Sequence, residues 1–347
     1  MASANESADG TEVQDTDIAV IGAGPVGLFA VFQCGMLNMK CHVIDVLGAE
    51  GGQCTALYPE KPIYDIPAWP EISAQGLIEK LLEQAAPFKP VYHLGERVET
   101  VDDDGDGFLL TTSGATRIRA RAVMVAGGVG AFGPNRPPLK GLKAFEGKSV
   151  HYLVARREDF RDKRIVIAGG GDSAVDWANS LAELARHIYV VHRRDKFRAA
   201  PESVERMRAL AADGRIELVV PFQLAGLEGV DGWISAVGVR AMSGEERRLE
   251  ADVLLPFFGL ATNLGPIAQW GLDLEHNHIR TDPETMESSR PGLFCIGDIA
   301  AYPGKLKLIL TGFAEAATAA HAAFSRVHPD QALHFEYSTT KGLPGGD

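Results

Sequence analysis

Gly22-Ala23-Gly24-Pro25-Val26-Gly27 and Gly169-Gly170-Gly171-Asp172-Ser173-Ala174 are spaced for the same chemistry. Glycines at these intervals let the backbone close on a pyrophosphate whose charge is met by the N-terminus of a following helix. What comes after each turn differs in sign. Asp45 stands about where an acid accepts hydrogen bonds from ribose hydroxyls, and a carboxylate there repels a 2′-phosphate. The first turn is therefore expected to hold FAD or NAD rather than NADP. After the second turn the acid is replaced by His192-Arg193-Arg194, with Arg198 beyond. Guanidinium groups pair well with a 2′-phosphate, so this turn is expected to prefer NADPH over NADH.

Each turn needs a strand before it and a helix after it. Asp17 to Ile21 reads as a buried strand, Leu28 to Phe32 as the apolar part of a helix, and Cys41 to Ile44 as the strand that ends in Asp45. The second unit repeats the order, with a strand from Arg164 to Ala168, a helix from Ser173 to Ala185 and a strand from Ile188 to Val191. One glycine fingerprint alone is weak, since a tight strand-to-helix turn gives the same pattern. Two, both in context, are strong.

The 347 residues leave room for two domains, and 46% hydrophobic with 23% charged residues is an ordinary globular composition. Met1 to Thr16 is polar and acidic and reads as a disordered tail without a secretion signal. No apolar run is long enough to span a bilayer, so a soluble cytoplasmic protein is expected. The net charge of −12 argues against a nucleic-acid partner. Four cysteines (Cys34, Cys41, Cys54, Cys295) form no C-x-x-C and read as small buried hydrophobes. The ten histidines are scattered and no Cys/His cluster has metal-ligand spacing.

Between the two units, Val98 to Val101 and Phe108 to Thr112 read as a hairpin, joined by a strand Arg117 to Arg121 whose three arginines share one face, as a solvated edge or a partner-binding stripe. Val123 to Gly128 reads as a separate apolar strand. Gly292 to Asp298 is a further buried strand ending in an acid, and Leu308 to Phe324 a long alanine-rich helix. A nucleotide-binding domain inserted into a discontinuous one fits this order.

With these residues in place, the chain resembles the two-dinucleotide-binding flavoproteins, the superfamily of thioredoxin reductase, from Ile18 to about residue 340. Within it the chain is most similar to the thioredoxin reductase-like ferredoxin–NADP reductases, through Gly51-Gly52-Gln53-Cys54-Thr55-Ala56-Leu57-Tyr58-Pro59-Glu60-Lys61, Tyr64-Asp65 and the C-terminal Tyr337-Ser338-Thr339. The resemblance implies an α/β fold of two Rossmann-like, three-layer ββα nucleotide-binding domains, the second inserted into the first. An FAD-binding domain would comprise residues 17–127 and 255–347, and an NADPH-binding domain residues 128–254. It implies electron transfer between NADPH and ferredoxin by a homodimer, with hydride passing from nicotinamide C4 to flavin N5 and leaving in single-electron steps. A diaphorase acting on flavodoxin, a quinone or an iron chelate is the alternative.

Residue by residue, the resemblance implies that Gly22, Gly24 and Gly27 hold the FAD pyrophosphate and Asp45 the adenosine ribose. Gln53, Val98 and Phe132 would line the flavin and adenine sides, and Asp298 the ribityl or pyrophosphate end. Tyr58 and Tyr337 would stack on the flavin, with Thr339 near its N5 edge; packing in the core is the alternative for each tyrosine. Gly169, Gly170, Gly171 and Ser173 would cradle the NADPH pyrophosphate, and Arg193, Arg194 and Arg198 would take the 2′-phosphate; for His192 a structural and a catalytic role are both open. No acid or base is needed. Lys305 and Lys307 are candidates for meeting an acidic ferredoxin. Where thioredoxin reductase has its redox C-x-x-C, this chain reads His151-Tyr152-Leu153-Val154-Ala155-Arg156-Arg157, so no dithiol can form there.

Overall fold

The computed structural model describes residues 12–128, 130–333 and 342, with the backbone alone at 131–134 and 260–262. The chain divides into two compact units, Met1–Ala131 with Thr262–Asp347, and Phe132–Ala261.

In the first unit, β1 (Val13–Ile21) leads through the glycine turn into α1 (Pro25–Met36) and β2 (Cys41–Asp45). After α2 (Gln53–Leu57) and α3 (Ala74–Ala85) come β3 (Val91–Leu94) and a meander of β4 (Val98–Asp104), β5 (Gly107–Thr112) and β6 (Arg117–Val125). The sheet order is β3-β2-β1-β6-β5-β4. β3, β2, β1 and β6 run parallel, while β5 and β4 are antiparallel. Two expectations are corrected here. Arg117 to Val125 is one strand, because β1 pairs with it along its whole length, from Val13↔Arg117 to Ile21↔Val125. For the same reason residues 13–16 belong to β1 and not to a tail. Arg119 secures that end by reaching Asp15 at 3.2 Å and Asp104 at 2.7 Å, so part of the arginine stripe is used inside the unit.

In the second unit, β7 (Arg164–Ala168), α4 (Asp172–Leu181), β8 (His187–Val191), α5 (Pro201–Ala212) and β9 (Ile216–Val219) are followed by a meander of β10 (Phe222–Val230), β11 (Trp233–Ala241) and β12 (Glu246–Glu250), then β13 (Val253–Pro256). The parallel order is β9-β8-β7-β13. α4 ends at Leu181, four residues short of the expected Ala185.

The chain then returns to the first unit, where β14 (Leu293–Cys295) pairs in parallel with Val123 to Val125 and is followed by α6 (Ile309–Val327). Alternation along the strands explains why these runs look uniformly apolar. Ile18, Val20 and Met124 face α1 and the Ala316-Ala319-Ala320-Ala323 stripe of α6, while Ala19, Val123 and Val125 face the meander and Trp270. Helices lie on one face of the sheet and a second layer of strands on the other, so both faces are buried. Within each unit this gives the three-layer α/β arrangement.

Candidate nucleotide sites

The two glycine turns are built alike. Gly22 N–H donates to Ile44 O at 2.8 Å, and Gly169 N–H to Val191 O at 3.0 Å, so each turn begins by bonding to the neighbouring parallel strand. Gly22 lies at φ +115° and Gly169 at φ +156°. A Cβ would stand 2.4 Å from Ala126 O at the first and 2.6 Å from Phe257 O at the second, so neither position admits a side chain. Gly27 is excluded from substitution for another reason, because its Cβ would meet Gly22 O at 1.9 Å: here the helix presses directly on its own turn. Gly24 and Gly171 are different. A Cβ on either meets nothing within 4 Å, and neither α1 nor α4 has a side chain capping its first amides. At both turns the backbone therefore faces open space with uncapped helix N–H groups, the arrangement that fits a pyrophosphate.

Behind the first turn, the buried Asp45 carboxylate accepts Ala23 N–H at 2.6 Å through Oδ2 and Leu47 N–H at 2.8 Å through Oδ1. Burial raises its pKa, and the two amide bonds oppose that rise. β3 pairs beside it, with Leu94 opposite Asp45, and the chain turns from there into Val98, which is buried in the core at the start of β4.

Three distant segments close around the same turn. Gly51 N–H donates to Ala23 O at 2.8 Å, and a Cβ on Gly52 would come within 3.1 Å of Gly24 Cα. Gln53 follows, its Nε2 3.3 Å from the Cβ position of Gly128. Gly297, at φ +74°, lies against Val26, and Asp298 follows it in a partly exposed turn. Tyr58 is partly buried and packs against the cluster of Leu28, Cys54 and Ile78. Its hydroxyl is pushed up, first by burial and then by the Cys54 thiol, with Asp298 adding to the rise. The Cys54 thiol, mainly through burial, is pushed up to about 11 and stays protonated at neutral pH. Gly22, Gly24, Gly27, Asp45, Gln53, Tyr58 and Asp298 are thus gathered in one unit. Phe132 lies on the strand Ala131–Pro134, where its side chain is not described, and Tyr337 and Thr339 lie outside the described residues.

In the second unit, Ser173 is exposed in the first turn of α4. Arg198 N–H donates to Gly170 O at 2.7 Å, which brings the cationic loop back to the turn. Arg193, Arg194 and Arg198 are exposed, and among the described residues none of them forms an ion pair. His192 packs on Phe197 with ring centroids 5.2 Å apart and fills the space beside Gly170, where a Cβ would lie 2.4 Å from the ring. Burial lowers its pKa, a backbone hydrogen bond at Lys196 opposes that, and the neighbouring arginines lower it further. It supports the turn from below.

The structure adds one residue that no motif announced and corrects another. Glu315 of α6 is 3% exposed and accepts Gly297 N–H at 2.7 Å. Lys305 pairs with that carboxylate and its side chain is only 7% exposed, so it is withdrawn from any docking surface. Lys307 is exposed, with Nζ 2.7 Å from His278 Nε2. All four cysteines are buried and free. In the segment that replaces the redox pair, Val154 is buried and Tyr152 donates to Glu146 at 2.6 Å.

The family profile described as pyridine nucleotide-disulphide oxidoreductase matches residues 16–323. A protein of Paramagnetospirillum magneticum named ferredoxin–NADP reductase is 61% identical over 333 residues, 96% of this chain and 99% of its own length. One of the same name from Rhodospirillum rubrum is 59% identical, covering 95% of this chain and 97% of its own length. Among solved structures, the thioredoxin reductase of T. acidophilum superposes with a TM-score of 0.79 at 21% identity, covering 90% of this chain and 98% of that one, a likeness of fold. The chain belongs to the pyridine nucleotide-disulphide oxidoreductase family and, within it, to the group of relatives named ferredoxin–NADP reductase.

Proposed function

We propose that this chain is an FAD-containing oxidoreductase that moves electrons between NADPH and ferredoxin. The observation that carries the reading is the opposite charge behind two matching glycine turns: a buried Asp45 at the first, and exposed Arg193, Arg194 and Arg198 at the second. Relatives sharing about three residues in five over nearly their whole length carry the name of that reaction.

Bound FAD supplies the conversion between two-electron and one-electron transfer that no side chain provides. The chain's own residues bind and orient. The open amides after Gly24 meet the FAD pyrophosphate, and the Asp45 carboxylate, already fixed by two backbone amides, accepts from the ribose hydroxyls. Gln53 and Asp298 reach the same cofactor from the segments packed on the turn, Val98 and Phe132 line it, and Tyr58, Tyr337 and Thr339 flank the flavin ring. The amides after Gly171, with Ser173, meet the NADPH pyrophosphate, and the three arginines select its 2′-phosphate. No side chain is needed to move a proton.

In this reading the enzyme is a cytoplasmic homodimer in which the first unit binds FAD and the second binds NADPH. Among the described residues no helix is long and apolar enough to cross a membrane. The test is the rate of NADPH-driven cytochrome c reduction by the purified protein with and without a low-potential ferredoxin. A large increase on adding ferredoxin is expected. Rapid bleaching of the flavin by NADPH with no gain from ferredoxin would move the acceptor to a flavodoxin, a quinone or an iron chelate.

A further inference from the structure

α6 buries a single acid, Glu315, on a face that is otherwise apolar. Its Oε2 accepts Gly297 N–H at 2.7 Å, and its Oε1 accepts both the Tyr302 hydroxyl at 2.5 Å and the Lys305 ammonium. Lys305 Nζ also lies 5.4 Å from the centre of the Tyr302 ring. Burial, and then the bond to Glu315, push the Tyr302 hydroxyl up, so it remains a donor.

A buried ion pair is a poor way to gain stability, since an apolar pair of the same volume avoids the cost of stripping water from two charges. What this pair does hold is a particular piece of backbone. Gly297 turns at φ +74° immediately before Asp298. Around it there is no spare room: a Cβ on Gly312 of α6 would stand 2.3 Å from Val26 Cγ2 and 3.4 Å from Gly297 Cα. Val26 belongs to the first glycine turn. The helix, the Gly297-Asp298 turn and the glycine turn therefore meet at one point, and Glu315 bonds the middle member to the helix.

We infer that Glu315 is a positioning residue of the FAD site, holding the Gly297 amide so that the Asp298 carboxylate is presented beside the first glycine turn, with Lys305 and Tyr302 holding Glu315 in turn. The inference rests on the FAD reading above and adds to it a residue that does not itself touch the cofactor.

The experiment compares the full-length purified protein with E315Q and with the apolar pair E315L/K305M. The readouts are the rate of FAD release, followed by flavin fluorescence after dilution, and the midpoint of thermal unfolding. E315Q is expected to release FAD at least tenfold faster, because its Lys305 is left unmatched and the acceptor for Gly297 is weakened. E315L/K305M is expected to unfold at a higher midpoint than E315Q, because no charge is left unmatched, and still to release FAD quickly, because Gly297 N–H has no acceptor at all. Release at the wild-type rate from either folded variant overturns the inference. So does fast release accompanied by an equally lowered midpoint in both variants, which would be general loosening. If E315Q does not fold, the rate of FAD release from the double variant alone decides. A wild-type protein that takes up no FAD would overturn the cofactor reading itself, an outcome distinct from variants that retain FAD as the wild type does.

Discussion

Arg198 donates its backbone N–H to Gly170 O at 2.7 Å, so the loop that carries the arginines is tied to the turn expected to hold the pyrophosphate. A guanidinium anchored so near one phosphate site is placed to read a second phosphate on the same nucleotide. Replacing Arg193 and Arg194 together by Ala is expected to weaken NADPH binding by on the order of 1.5–3 kcal/mol for each guanidinium–phosphate hydrogen bond removed. NADH binding is expected to change little. Equilibrium titration with both nucleotides checks this, and equal weakening would show that the arginines do not read the 2′-phosphate.

The glycines of the first turn separate binding from folding. Gly24 has room for a Cβ, whereas Gly27 has a backbone oxygen 1.9 Å from its Cβ position. G24A is expected to keep the wild-type unfolding midpoint when stripped of cofactor and to lose FAD affinity. G27A is expected to lose both, with a destabilisation of about 1–3 kcal/mol or more from overpacking against backbone. Chemical denaturation of the two apoproteins, read beside their FAD titrations, distinguishes the cases.

His42 and His93 share a hydrogen bond of 3.0 Å between the Nδ1 of one and the Nε2 of the other. Burial lowers both pKa values below the ordinary histidine value, and for His42 the neighbouring His93 adds to the effect. A lowered native pKa means that the unfolded chain takes up protons first as the pH falls. Stability from this pair is thus present above about pH 6.5 and is lost below it, down through the native values. His151 and His192, lowered by burial in the same way, act in the same direction. H42Q/H93Q is expected to show a shallower fall in unfolding midpoint between about pH 7 and pH 5. An unchanged slope would remove the pair from the account.

Tyr337 and Thr339 are expected to reach a flavin, with Tyr58 on the other face. A protein ending before Phe335 is expected to keep FAD and to show altered transient kinetics of flavin reduction by NADPH. Stopped-flow bleaching at the flavin band measures this, and identical traces for the two proteins would count against a tail that covers the ring.

The sequence carried a great deal of this protein on its own. Both glycine turns, Asp45 and the arginine cluster lie within βαβ units, where a strand, a turn, a helix and the next parallel strand follow one another within a few tens of residues. Local pattern is enough to order such neighbours, because the right-handed crossover leaves them one arrangement. The acid after Gly297 was legible for the same local reason, at the end of a buried strand, whereas the GGQ string was marked only by the resemblance to the family.

The rest needed the third dimension. Residues 13–16 read as a tail because they are polar, and only pairing with Arg117 to Ala120, with Arg119 reaching Asp15, makes them part of β1. Lys305 read as a surface cation, because a lysine in a loop has no pattern to reveal that a carboxylate on a later helix will pair with it. Nothing in the spacing of Gly52 and Gly24, or of Gln53 and Gly128, announces that they touch. The sequence by itself determined which chemical groups stand beside each glycine turn, since those groups sit on contiguous segments. The tertiary structure decided how segments far apart in the chain close around one turn, and that a buried Glu315 fixes the amide next to Asp298, because such contacts arise from packing between faces that no one-dimensional period records.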